Sequence, residues 1–265
     1  MTGRESRRAG RATSAAIRVR ASAPRRSAAA PPRHDSAGAT ARSRGPLRSP
    51  PSAGGKTPPE LRSEEFRTRE FEWDRWEDFE RLFRRYDGVQ AGCWCMFYHR
   101  EGPNGPLASA ERAEANRRDH RELLRRDHAH GILVYVGREV VGWCQYGRRE
   151  DLPRIERGRT YRALGDVLGP PPRWRITCFF VDRPFRHRGV AQLALRGALE
   201  AIRRQGGGVV EAYPATHGRA VAMWFGTVPM FRREGFRAVR PFGASHLLMR
   251  RDVVPSPSSA PRPKP

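Results

Sequence analysis

The sequence predicts an α/β protein of the α+β type, built on one mixed sheet with helices on both faces. Three observations predict it. Two β-prone runs, 131–136 ("GILVYV") and 140–146 ("VVGWCQY"), flank Gly137-Arg138 and read as an antiparallel hairpin. An apolar run at 174–182, a helix-forming stretch at 190–204 and a second β-prone run at 209–213 follow as strand, helix and strand. Upstream, Trp76, Phe79, Phe83 and Tyr86 recur at intervals of three, four and three, one face of an amphipathic helix.

Taken in order, the folded part begins near Ser63. Residues 66–73 ("FRTREFEW") read as a short strand. Asp74 and Glu77, three apart, form a capping-box pattern ahead of the first helix, and Asp87-Gly88 ends that helix. Residues 92–99 ("GCWCMFYH") are an apolar run that fits no single period. Residues 110–126 are charged and free of glycine, a helix with a narrow apolar face. The hairpin comes next, then 152–172 as a connecting loop with some helix. Residues 174–182 are apolar on both faces, as in a central strand. In 190–204, Leu195, Leu199 and Ile202 mark the buried face, and the glycines at 206–208 break the helix. After the strand at 209–213, a helical stretch at 220–233 is interrupted by Gly226 and Pro229. Short strands around 236–239 and 247–250 close the fold. No internal repeat is present.

The chain has 265 residues and a formal net charge of +23. Such a charge would ordinarily point to nucleic acid, but it is unevenly spread. Residues 1–60 hold 13 Lys and Arg against 3 Asp and Glu. Residues 1–62 are rich in Arg, Ala, Ser and Pro and have no aromatic residue, which predicts a disordered basic extension. Three origins compete: a nucleic-acid-binding tail, an Arg- and Ser-rich targeting peptide, or a bland extension from an upstream start in a GC-rich gene. The last is favoured. "GGKT" at 54–57 is not a phosphate loop, because no strand precedes it and its first glycine would fall on Pro50. The domain is expected at 63–252, with 253–265 a disordered tail. No run approaches a membrane span and none resembles a secretory signal. Four cysteines in a chain of this length make no disulfide framework. A reduced, cytoplasmic setting is the expectation.

Residues 179–199 read "FFVDRPFRHRGVAQLALRGAL". A strand stops at Asp182, a basic turn follows, and a helix begins at Val190. The first amides of such a helix lack partners, and its dipole adds partial positive charge there. Phosphate suits such an end. Gly189 permits close approach to the backbone, and Arg186, His187 and Arg188 supply charge and donors. The alternative is a solvated basic loop in an arginine-rich chain.

Arg186-His187-Arg188-Gly189-Val190-Ala191 resembles the Arg/Gln-x-x-Gly-x-Gly/Ala coenzyme A signature of the GNAT N-acetyltransferases. "FFVDRPF" resembles that family's fourth strand and pyrophosphate loop, "MFRREGF" at 230–236 its later helix and turn, and "ILVYVGREVVGWCQY" its second and third strands. The resemblance spans about residues 66–251. It implies a mostly antiparallel central sheet and acetyl-CoA as co-substrate. It also implies that the loop amides from Arg186 to Ala191 bind the pyrophosphate, and that the strand at Phe179, Phe180 and Val181 pairs with the pantetheine arm. Transfer in this family is direct: an amine attacks the thioester, the protein accepts a proton, stabilises the oxyanion and sees the thiolate protonated.

Alternation places Val209, Glu211 and Tyr213 on one strand face. A carboxylate and a phenol there are costly unless paired or functional. Glu211 is the candidate base, directly or through water, and Tyr213 the candidate acid for the thiolate. A structural hydrogen bond is the competing reading. The family's usual acid, a tyrosine four residues before the "GF" glycine, falls on Phe231, which cannot donate a proton. Asp182 reads as structural, capping the loop or pairing with an arginine. Cys93, Cys95, Cys144 and Cys178 lack paired zinc-ligand spacing, so no metal is expected. Cys178 as a nucleophile ranks below Cys178 as packing. His120, His128 and His130 are expected in solvent, and Trp73, Trp76, Phe79 and Phe83 in the core or along an acceptor pocket.

The leading expectation is therefore an acetyl-CoA-dependent N-acetyltransferase for an amine the sequence does not identify, with no membrane partner and room for a homodimer. A GNAT-like acyl-CoA binder of weak activity is second. A nucleic-acid-binding protein using the basic N-terminus is third.

Overall fold

The computed structural model describes residues 66–101, 110–165, 169–218 and 223–257. All lie in one compact unit, Pro58–Pro265. The extension expected at 1–62 and most of the expected tail lie outside the described residues.

Seven strands form one sheet in the order β1-β2-β3-β4-β5-β7-β6. They are β1 (Phe66–Glu70), β2 (His130–Val136), β3 (Glu139–Arg148), β4 (Trp174–Val181), β5 (Gly208–Ala212), β6 (Arg237–Phe242) and β7 (His246–Val253). Only β4 and β5 run parallel; the other neighbours are antiparallel. The mixed, mostly antiparallel sheet is the architecture the sequence predicts. The helices are α1 (Trp76–Arg84), α2 (Ala110–Arg125), α3 (Pro153–Arg157), α4 (Arg159–Arg162), α5 (Val190–Arg204) and α6 (Val228–Arg233). Among the described residues no helix is long and apolar enough to cross a membrane.

Two cores face each other across the sheet. On one face α5 buries Ala194, Leu195, Ala198, Leu199, Ala201 and Ile202 against an aliphatic layer. Gly142 of β3 lets this helix seat closely: a Cβ there would lie 2.5 Å from Val190 Cγ1. On the other face α1 presents Trp76, Phe79, Leu82 and Phe83 to Phe71, Trp94, Trp143 and Phe180, an aromatic core.

Several expectations are corrected. The Asp74/Glu77 capping box does not form. A 3-10 turn, Trp73–Arg75, leads into α1 and already satisfies the Trp76 amide through Trp73 O, while Asp74 lies 3.0 Å from Arg75. Trp73 is half exposed, with Arg121 5.1 Å above its ring. His120 is fully buried among Phe71, Trp76, Phe79 and Trp143, not solvated. Asn116, His120 and Leu124 are spaced four apart and form the inward stripe of α2, so the narrow face is partly polar in composition. His130 is buried as well, at the start of β2, and stacks on Tyr146. Of the three, only His128 remains substantially exposed, with Nδ1 2.6 Å from an Asp151 oxygen.

Candidate functional site

The central strand β4 is paired unequally. Its first three residues, Trp174, Arg175 and Ile176, face Val210, Glu211 and Ala212 of β5. Beyond Ile176 the two strands part. β5 and the chain after it turn toward β7 and the loop before α6, with Ala215 N–H donating to Gly226 O at 3.1 Å and Leu247 N–H to Pro214 O at 3.0 Å. The β3–β4 register slips at the point of parting, between Gln145 and Tyr146, a bulge that bends the strand. Asp182 N–H donates to Val141 O at 2.9 Å, so by alternation the Phe180 backbone faces β3. Phe179 and Val181 therefore turn their amides and carbonyls to the open side. The Val181 carbonyl already accepts from Arg186 Nε there, at 3.1 Å. The gap lies at the carboxyl ends of two parallel strands, where α/β sheets place ligands.

The basic turn lies beside this gap. A short 3-10 turn, Arg183–Phe185, follows Asp182. His187 then adopts φ 63° and Gly189 φ 80°, both left-handed. Gly189 is the N-cap of α5, with no side-chain cap, and the first helical bond runs from Leu193 N–H to Gly189 O at 3.0 Å. Among the described residues the amides from His187 to Gln192 have no acceptor. A Cβ at Gly189 would meet nothing within 4 Å. The glycine is thus needed for its φ and for access, not for packing. Asp182 anchors the approach, as expected: it is buried, lies 3.2 Å from Arg85 Nη1 and accepts from Tyr86 OH.

Glu211 and Tyr213 are brought together as alternation predicts, with Tyr213 OH donating to Glu211 Oε2 at 2.7 Å. Both are buried. The same carboxylate receives Arg250 Nη2 at 2.6 Å and Nε at 2.9 Å, Tyr161 OH at 3.1 Å, and lies 3.5 Å from Arg175 Nε. Burial, with the nearby Glu211 charge, pushes the Tyr213 phenol well above its usual range. Arg175, Glu211 and Arg250 sit on β4, β5 and β7, so the cluster clamps three strands on the closed side of the gap.

A cavity of about 450 Å³ lies on the aromatic face where β4 parts from β5. Thr177, Cys178 and Phe180 of β4 form one wall, and Trp224 and Phe225, downstream of β5, another. The Phe180 and Trp224 rings stack, 6.0 Å apart and 12° from parallel. The remaining wall is the chain after α1, where Asp87, Val89, Ala91, Trp94 and Cys95 all have positive φ. Five non-glycine residues in that region within nine positions is concentrated strain, of order 1–3 kcal/mol at each residue. Beneath the cavity, Gln145 donates to Cys95 O at 2.8 Å, accepts from Thr177 Oγ1 at 2.9 Å and meets His99 Nε2 at 3.1 Å. Burial lowers the His99 pKa to about 4, so the ring is neutral. Burial, with the neighbouring Cys178, raises the Cys93 thiol to about 11.

Neither Glu211 nor Tyr213 lines this cavity. Cys93, Cys95 and Cys178 do, whereas Cys144 is packed in the aliphatic core on the opposite face. Phe231 is fully buried against Phe179 and Phe236. Sequence reasoning found the strand, turn and helix but missed Gln145, Thr177 and Trp224. The one available signal was the untyped run at 92–99.

Residues 103–226 match the family model described as the acetyltransferase (GNAT) family. No curated protein matches the chain. Among solved structures, a ribosomal-protein-alanine N-acetyltransferase from Brucella melitensis is 17% identical over 70% of this chain and 99% of its own, at TM-score 0.43. An acetyltransferase from Thermus thermophilus is 15% identical over 71% of this chain and 96% of its own, at 0.40. An N-acetyltransferase from Staphylococcus aureus is 12% identical over 71% and 98%, at 0.42.

Proposed function

From a chain that carries a GNAT-family acetyltransferase domain, we propose acetyl-CoA-dependent N-acetylation of an amine by direct transfer. The observation that carries this reading is the half-paired β4 edge beside the uncapped N-terminus of α5. Bound acetyl-CoA supplies the activated acetyl group as a thioester. The residues fit such a molecule: a row of free amides for its diphosphate and a bare strand edge for its amide-bearing arm. The amides from His187 to Ala191, with the Arg186, His187 and Arg188 side chains, hold the diphosphate; the Arg186 N–H, expected in that row, donates instead to Arg183 O at 3.4 Å. Phe179, through its amide and carbonyl, and Val181, through its amide, pair with the arm, as a strand would. Phe180 contributes its ring to the cavity instead of its backbone. The amine nitrogen bonds to the acetyl carbon as the carbon–sulfur bond breaks, and the amine proton is lost.

Glu211 and Tyr213 are proposed as positioning residues. Their polar atoms are committed to each other and to the arginines, and they hold β5 against β4 up to the point of parting. Residues 63–252 are proposed as the transferase domain, acting in the cytoplasm, where its free thiols persist.

Titration calorimetry tests the reading. Acetyl-CoA is expected to bind saturably to the full chain and to a chain starting at Ser63; a titration without saturation ends the proposal. A second reading, binding without efficient turnover, is favoured by Phe231 standing where a phenol would serve as acid. Thiol release with a broad amine panel separates the two, since a binder releases none.

A further inference from the structure

The cavity beside β4 is unlike a site for a charged amine. Among the described residues, none that lines it is aspartate or glutamate. Two lining residues, Arg100 and Arg112, are cationic, and Arg100 holds Asn116 at 2.8 Å and Asp119 at 2.7 Å. An ammonium group entering here would lose its water and meet no carboxylate among the described lining residues, a costly combination.

Several polar side chains of the walls are engaged within the protein. The Gln145 side chain is bonded to Cys95 O, His99 and Thr177, and the Asn116 amide donates to Gly92 O at 2.8 Å. A hydroxyl-rich acceptor would find these groups already bonded and would replace fewer of its hydrogen bonds to water. What the walls offer is flat apolar surface: Phe83, Phe97 and Tyr98 on one side, and the stacked Phe180 and Trp224 at the gap. The volume, about 450 Å³, suits a molecule of one or two rings.

We propose that the acceptor is an aromatic amine of the aniline type, uncharged at neutral pH, whose ring lies among Phe83, Phe180 and Trp224 with its nitrogen toward the β4 edge. The inference rests on the transferase reading and deepens it. Such a nitrogen keeps its lone pair without a base to strip a proton beforehand, which agrees with a cavity that has no carboxylate among its described lining residues. After attack the surplus proton leaves the new amide nitrogen for the departing thiolate or for water, so the exchange is balanced without an added reagent.

The test uses the full chain at neutral pH. Quenching of tryptophan fluorescence reads amine binding in the presence of coenzyme A, and thiol release reads turnover with acetyl-CoA. Aniline, benzylamine and glucosamine are the probes. Aniline is expected to bind roughly tenfold or more tighter than benzylamine, although the two differ by one methylene, and glucosamine is expected not to saturate. For benzylamine, kcat/KM should rise tenfold per pH unit up to that amine's own pKa, while for aniline it should stay flat. Trp224→Ala is expected to raise KM for aniline about tenfold with kcat little changed, as loss of uniform binding does. The pH comparison stands whether or not that variant folds. Preferred binding of benzylamine or glucosamine, or a pH-independent kcat/KM for benzylamine, overturns the inference. If coenzyme A binds and aniline does not, this inference fails and the transferase reading survives. If coenzyme A itself does not bind, it is the transferase reading that fails.

Discussion

The two halves of β4 differ in what holds them. From Trp174 to Ile176 the strand is flanked by β3 and β5 and pinned by a buried cluster of Arg175, Glu211, Arg250, Tyr161 and Tyr213. From Thr177 to Val181 it is paired with β3 alone, and its open side meets a basic turn and an aromatic cavity. The charged half has the residues that look catalytic in the sequence, and the uncharged half has the room. Strong, mutually satisfied ionisable groups serve best where nothing must move, while a binding surface needs donors left over after folding.

Four measurements would break or sharpen this contrast. The largest effect is expected from Glu211→Ala, which removes the carboxylate at the centre of the cluster and leaves the buried Arg175 with Glu156, at 3.3 Å, as its carboxylate partner. Removing one partner of a buried pair costs about 3–5 kcal/mol, so chemical denaturation should show a loss of that size; a loss below 1 kcal/mol would mean the cluster does not clamp the strands. Next, Gly189→Glu attacks the open half alone. It demands a left-handed φ from a residue with a Cβ and sets a carboxylate at the diphosphate amides. Acetyl-CoA affinity should fall about 100-fold, or roughly 2.7 kcal/mol, with the aromatic cavity still binding its ligand; unchanged affinity would show that the turn is not the diphosphate site.

Third, Tyr213→Phe removes one hydrogen bond to a charged acceptor, a loss of about 1.5 kcal/mol of stability. With a positioning role, kcat should stay within about threefold, whereas an acid at this position contributes about 100-fold or more. The fourth measurement concerns acid. Burial holds His99 and His130 down at about 4, and His120 well below its usual value. Their folded-state pKa values lie below the unfolded one, so the unfolded chain binds more protons and stability falls as pH drops from about 6.5 toward 4. His130 stacks on Tyr146 and approaches Trp174 at the closed half, and His99 props Gln145 under the open half, so both halves should loosen. The melting temperature should drop by several degrees across that window, and His120→Phe should flatten the dependence; a flat wild-type profile would contradict it.

Regular elements were legible because they rest on periodicity. The hairpin at Gly137, the apolar β4 run and the Leu195/Leu199/Ile202 face of α5 all appear where spacing puts them. The basic turn ahead of α5 was legible too, because a glycine before a helix is a local signal. The cavity beside β4 was not. Its wall at 87–95 depends on left-handed backbone at Val89, Ala91, Trp94 and Cys95, which tertiary packing imposes and no residue type announces. His120 misled for a related reason: a helix of arginines and glutamates conceals its inward stripe when that stripe contains an asparagine and a histidine. Glu211 and Tyr213 were paired correctly from alternation, but Arg250 and Tyr161, remote in sequence, decide what the pair does.

An unpaired strand edge normally invites another protein's strand and, through it, aggregation. Here the bare stretch of β4 lies mid-sheet, between β3 and the diverging β5, instead of at the rim. A foreign polypeptide, with side chains on both faces, would have to wedge the sheet apart to reach it. A thin, unbranched chain with an amide every few atoms would slip in edgewise. The position of the opening is therefore a size filter: it keeps the molecule from sticking to its own kind while leaving the slot free for a narrow guest.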